Sequence, residues 1–143
     1  MKKTSVLFVC THNSARSQMA EGLLRDRYSD RYDAHSAGTE RTHVRPLALD
    51  VMEEIGVDLA GHTSKTIEDL GDRTFDVVVT VCDAAREACP YLPAEKENLH
   101  RSFEDPSAAE GTEEERRAVF RRVRDELAAW IDEAFASEST EAE

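Results

Sequence analysis

No apolar run in the 143 residues approaches the ~20 consecutive positions that a membrane-spanning helix needs. The start, Met1-Lys2-Lys3-Thr4, leads into a five-residue apolar stretch, shorter than the apolar region of a secretory signal. A cytoplasmic protein with no membrane partner is therefore expected. Lysine is scarce, four against fourteen arginines, and thirty acidic residues leave a formal charge of −12. Nucleic acid and anionic membranes are excluded as expected partners, because both are bound through basic surfaces. There is no internal repeat, no low-complexity linker and no G-x-G-x-x-G fingerprint, so a nucleotide cofactor has no support and none is expected. Cysteines number only three, and in a reducing cytosol they are redox-active or inert rather than structural cross-links. Structural zinc sites show paired ligands at short spacing, which this chain lacks, so no metal is expected either.

What is present suffices for one domain with a core that needs no staples. Residues 1–136 are expected to form it, and the polar, acidic residues 137–143 are expected to be a disordered tail. Val6-Leu7-Phe8-Val9 reads as a buried strand. Met19, Ala20, Leu23, Leu24 and Tyr28 recur at helical spacing and predict an amphipathic helix over 16–28. A short strand is expected over 34–37, ended by Gly38, followed by a helix between Pro46 and Gly56. Phe75 to Val81 is β-branched and almost continuously apolar, as in a strand covered on both faces, and a further strand is expected over 97–102. Thr112 and Glu115 stand in capping-box relation, opening a last helix whose stripe runs through Val119, Phe120, Val123, Leu127, Trp130, Ile131 and Phe135. Strands alternating with helices predict an α/β fold: a single three-layer domain, a four-stranded parallel sheet with helices on both faces.

Chemistry concentrates after the first strand, in Cys10-Thr11-His12-Asn13-Ser14-Ala15-Arg16-Ser17. Five residues between a thiol and a guanidinium let the backbone N–H groups wrap a tetrahedral anion as a nest, with the positive end of the following helix behind it. Arg16 can grip two oxygens bidentately. Such surroundings favour thiolate over thiol, making Cys10 the candidate nucleophile. The plainer alternative is a buried strand-end cysteine and a surface arginine, which the placement between a clear strand and a clear helix disfavours. The net acidity does not forbid an anionic ligand, since exposed charges are screened beyond ~8 Å at physiological salt.

Cys82, Asp105 and Cys10 all follow strand ends, so a parallel sheet brings them to one rim. Cys82 and Cys89 lie seven apart; on a helix their sulfurs stand about 10 Å apart along the axis, so joining them requires that helix to unwind. They could instead be merely structural. Asp105-Pro106 is a turn, and a carboxyl there could also protonate a leaving oxygen.

These features resemble the thioredoxin-coupled arsenate reductases, relatives of the low-molecular-weight protein tyrosine phosphatases. The resemblance is carried by Cys10 to Ser17 with Gln18-Met19-Ala20-Glu21, Ser36-Ala37-Gly38, His62-Thr63-Ser64, Val79-Thr80-Val81-Cys82, Cys89-Pro90 and Asp105-Pro106. It implies a phosphatase-like fold and arsenate held by residues Thr11 to Ser17, attacked by Cys10 while Asp105 acts as acid. It further implies a disulfide passing from Cys10–Cys82 to Cys82–Cys89, a partner thioredoxin that reduces it, and a monomer. Some members of that family hold potassium near Asn13, Ser36 and Thr63 with a carboxylate two residues beyond the threonine; here Lys65 stands there, either as an internal substitute or as a solvated lysine. A tyrosine phosphatase is the alternative, although Ser107-Ala108-Ala109 replaces the tyrosines such enzymes carry after the acid. An oxyanion-binding redox sensor is the third reading.

Overall fold

The computed structural model describes residues 3–11, 15–39, 42–59, 61–83 and 92–136. Strand β1 (Thr4–Cys10) is buried from Val6 onward and sits inside a four-stranded sheet of order β2-β1-β3-β4, every pair parallel. Its partners are β2 (Tyr32–Gly38) and β3 (Val77–Thr80), with β4 (Glu97–His100) on the outer edge of β3. The register sets Cys10 opposite Gly38 on one side and Val9 opposite Thr80 on the other.

The strands differ from expectation in length. β2 runs from Tyr32 rather than residue 34, because it pairs along the whole of β1 even where Asp33 and His35 break the apolar pattern. Regular pairing in β3 covers only Val77–Thr80; Phe75 stays buried but lies before the ladder. β4 stops at His100 and is largely exposed, a short polar edge strand of the kind that resists further pairing.

Helix α1 (Arg16–Tyr28) packs Met19, Ala20, Leu23 and Leu24 against one face of the sheet. It is less simply amphipathic than its spacing suggests, since Arg16, Ser17, Gln18 and Glu21 are buried as well. Helix α2 (Pro46–Glu53) begins on proline and is released through Gly56, whose φ of 81° lies in the left-handed region, with Val57 N–H closing onto the Met52 carbonyl at 3.0 Å. Helix α3 (Glu113–Ile131) opens on the expected capping box: Thr112 Oγ1 accepts from Glu115 N–H at 3.1 Å, and Glu115 Oε1 accepts from Thr112 N–H at 2.8 Å. Its buried stripe is Phe120, Val123, Leu127 and Ile131, continued by Phe135 in a π-helical turn, with Val119 and Trp130 at the margin.

Helices α1, α2 and α3 share the core of the face bearing Val6, Phe8 and Cys10. The opposite face, with Leu7, Val9 and Val78, is covered among the described residues by the 3₁₀ turn Glu68–Leu70, with Phe75, Leu92 and Ala94. The tail, residues 137–143, lies outside the described residues, as does the helix-capable segment 84–91 that holds Cys89.

Candidate functional site

β1 is central and its two neighbours lie on opposite sides, so its carboxyl end is the topological switch point where open parallel sheets bind ligands. Cys10 is the last residue of that strand and is 1 % exposed. Its Sγ lies 2.9 Å from Ser17 Oγ, which the first turn of α1 brings back over the strand end. The loop begins at Thr11, whose carbonyl accepts from both Thr39 N–H (2.8 Å) and Thr39 Oγ1 (3.0 Å). It closes at Ala15, whose carbonyl takes the Met19 N–H at 2.8 Å. His12, Asn13 and Ser14 lie outside the described residues.

Arg16 is 2 % exposed. Its Nη1 donates to the Phe103 carbonyl at 3.2 Å, and its Nη2 faces Asp105 Oδ2 at 3.8 Å, beyond direct hydrogen bonding. Asp105 is fixed from its other oxygen: Oδ1 accepts the Ser107 N–H at 3.0 Å, and Pro106 opens the short 3₁₀ turn that makes this geometry. The turn and the acid reading of Asp105-Pro106 are thus compatible. Cys82 is fully buried in the same cluster as Cys10, two residues past β3, whose exit is tied to β1 by Val81 N–H on the Val9 carbonyl at 2.9 Å. Cys82 is disulfide-bonded and Cys10 is not, so the bond does not join these two.

A polar network ties α1 to β2 and to residues 62–65. Glu21, 4 % exposed, accepts from Ser36 Oγ at 2.5 Å and from Arg25 Nη2 at 2.6 Å. Gln18 Nε2 donates to the Thr63 carbonyl at 2.9 Å, while its Oε1 faces His62 Nδ1 at 3.0 Å. Arg25 Nη1 donates to His62 Nε2 at 3.2 Å, so the ring accepts at Nε2, carries its proton on Nδ1 and is neutral. Burial pushes its pKa below the ordinary 6.5; Arg25 and Lys65 act in the same direction, against Glu21 and Asp58. Lys65 Nζ donates to the Thr63 carbonyl at 3.0 Å, and Arg25 is the cation on Glu21. With an ammonium on that carbonyl, these residues do not fit a resident potassium ion. Among the described residues no group of three His, Cys, Asp or Glu side chains is placed to hold a metal.

Sequence reasoning missed the bond of Ser17 to the thiol and the Phe103 carbonyl that steadies Arg16. The second has no local signal, since 87 positions separate its partners. A parallel α/β sheet with a buried thiol at its switch point, an arginine one loop away and an aspartate across the rim defines a phosphatase-like class of protein. The chain belongs to the low molecular weight phosphotyrosine protein phosphatase family, whose model matches residues 5–140. Among its relatives is an arsenate reductase of Halalkalibacterium halodurans, 49 % identical over 89 % of this chain and 91 % of that protein. A solved arsenate reductase in a phosphate-binding state superposes with a TM-score of 0.78 at 32 % identity, covering 94 % of this chain and 98 % of the other. A thioredoxin-dependent arsenate reductase of Corynebacterium glutamicum gives 0.74 at 26 % identity, over 97 % of this chain and 63 % of that one.

Proposed function

We propose that this protein reduces arsenate to arsenite through Cys10, Cys82 and Cys89, regenerated by thioredoxin. Arsenate sits in the loop Thr11 to Ser17, its oxygens on backbone N–H groups and Arg16. The Cys10 thiolate, with Ser17 Oγ at 2.9 Å, attacks arsenic, and Asp105 gives a proton to the departing oxygen, which leaves as water. Cys82 then attacks the sulfur of Cys10. The electron pair of the sulfur–arsenic bond stays on arsenic, releasing arsenite and leaving a Cys10–Cys82 disulfide. Cys89 attacks Cys82, freeing Cys10, and the Cys82–Cys89 disulfide is reduced by the dithiol of thioredoxin. The loop and the acid would serve phosphoryl transfer equally well.

The observation that carries the reductase reading over the phosphatase one is the second buried cysteine: Cys82 shares the core cluster of Cys10 and is engaged in a disulfide that does not include Cys10. That distribution is the one the relay has after its last internal exchange. The names of the relatives support the same reading. The test is arsenate-dependent NADPH consumption with thioredoxin and thioredoxin reductase, run beside hydrolysis of para-nitrophenyl phosphate. Sustained NADPH consumption that disappears in Cys82→Ser, with phosphatase activity retained, is the expected result. Phosphate ester turnover without arsenate-dependent consumption would assign the site to a phosphatase, and one equivalent of oxidation without further turnover would assign it to a redox sensor.

A further inference from the structure

Between the end of β4 at His100 and the turn opened by Pro106 run the residues 101–105, which lead to the acid and follow neither helix nor strand. Their ends are tied by Arg101 N–H on the Thr80 carbonyl at 3.0 Å and by Asp105 Oδ1 on the Ser107 N–H at 3.0 Å. Of these residues only Phe103 is buried. Its ring meets Trp130 edge-on at 6.3 Å, and Trp130 meets Phe135 edge-on at 6.0 Å. Phe135 in turn meets Phe8 of β1 at 6.2 Å and Tyr32 of β2 at 5.1 Å, again edge to face. The Arg101 guanidinium also lies over the Phe103 ring, 5.3 Å from its centroid. Phe8 stands two residues before Cys10 and faces the same core, so the row of rings runs from the strand that carries the thiol to the segment that carries the acid. The carbonyl at the end of that row is the one that accepts from Arg16 Nη1 at 3.2 Å. That length is already at the long end of hydrogen bonding, so a small displacement of the carbonyl loses the bond.

We infer that Phe103 is a positioning residue for the reaction: its ring, seated in this aromatic row, sets its own carbonyl against Arg16 and, two residues on, the carboxyl of Asp105. The inference rests on the reading of Cys10, Arg16 and Asp105 as the oxyanion site. Edge-to-face rings pack directionally, and a close-packed core transmits a shift of one member to the next, so the row fixes an irregular segment that no ladder holds. One apolar side chain without a reactive group thereby governs oxyanion affinity and proton transfer together, whereas the Asp105 carboxyl governs only the second.

Phe103→Leu keeps an apolar side chain and removes the ring. It is expected to weaken tungstate binding by about tenfold or more in calorimetry of the reduced protein, the loss of one hydrogen bond to a charged group. Quenched flow with arsenate should show the same variant forming the arsenic adduct about 10²-fold more slowly, the scale of a group misplaced by an ångström. Trp130→Leu, at a half-buried position, loosens the row from its outer side and should move both quantities in the same direction by less; it decides the question if Phe103→Leu does not fold. Val6→Ala opens the same core four residues before Cys10 on β1, about 13 Å away, and should lower the urea midpoint while leaving both quantities unchanged. Unchanged tungstate affinity in the ring variants, whatever their rates, would overturn the inference. An equal loss of affinity in Val6→Ala would reduce the ring to general packing and overturn it too. If the native protein binds tungstate and forms the adduct, those outcomes strike this inference alone; a native protein that does neither overturns the Cys10 reading and this inference with it.

Discussion

Replacing Asp105 by asparagine separates its chemical role from its structural one. The amide keeps the shape and an oxygen to accept the Ser107 N–H, now at 3.0 Å, so the turn should hold. What is lost is the proton that the acid form donates and, from the ionised form, the charge facing Arg16 at 3.8 Å. At that distance the attraction is about 1 kcal/mol in water and about 4 kcal/mol at an effective dielectric of 20. Both figures are gross attractions, and the desolvation of a pair 2 % and 26 % exposed offsets most of the larger one, leaving about 1 kcal/mol. Arg16 is thereby freed rather than weakened as an anion ligand, so oxyanion affinity should stay level or tighten up to about fivefold. Loss of a general acid slows its step by ~10² to 10⁴, or about 2.7 to 5.4 kcal/mol of barrier. Quenched-flow measurement of the first adduct, followed also through Trp130, would separate the two effects. That ring packs edge-on to Phe103 at 6.3 Å, and the Phe103 carbonyl holds Arg16. An unchanged adduct rate would remove Asp105 from the mechanism; a rate loss matched by an equal loss of affinity would reduce it to a positioning residue.

Cys89→Ser should permit about one arsenite per chain and then stall with Cys10 joined to Cys82 in peptide maps; repeated turnover with thioredoxin would show Cys89 to be dispensable. Gly22→Ala should destabilise the fold, because a Cβ there would stand 2.7 Å from Leu59 Cδ2 and 3.1 Å from Val57 Cγ1. Overpacking of ~1 to 3 kcal/mol outweighs the ~1 kcal/mol that alanine gains in a helix, and an unmoved or higher urea midpoint would contradict this packing. His62 has a folded pKa below its ordinary 6.5, so between those values the unfolded chain binds more protons and stability falls as pH drops. Urea midpoints measured downward from pH 7.5 should show that loss, with a shallower slope in His62→Gln; parallel slopes would exonerate the ring. Finally, native activity should be indifferent to exchanging potassium for sodium at constant ionic strength, while Lys65→Asp should gain a potassium response. Strong potassium activation of the native protein would show that the Lys65 ammonium does not take the ion's place.

Local signals in the chain were enough for the parts whose physics is local. An apolar run sets a buried β1, a capping box starts α3 at Thr112, and Gly56 ends α2 through a backbone angle that other residues adopt poorly. The thiol and guanidinium of the loop are likewise a spacing, readable without a fold. Strand lengths were not, because β2 extends to Tyr32 only by pairing with Thr4, and a ladder belongs to two strands at once. The sheet order decided the rest: it carries the Phe103 carbonyl and Asp105 to Arg16, and Cys82 into the core of Cys10. Likewise, Gln18, Glu21, Arg25, Ser36 and His62 look like surface polar residues in one dimension. Gln18, Glu21 and Ser36 become buried, with the exposed Arg25 and half-buried His62 completing their network, because α1, β2 and the 62–67 segment converge, the last tied to Gly38 by backbone bonds of 2.9 Å on either side of that residue. Burial and partnership are properties of neighbours distant in sequence, and only the packed chain brings those neighbours together.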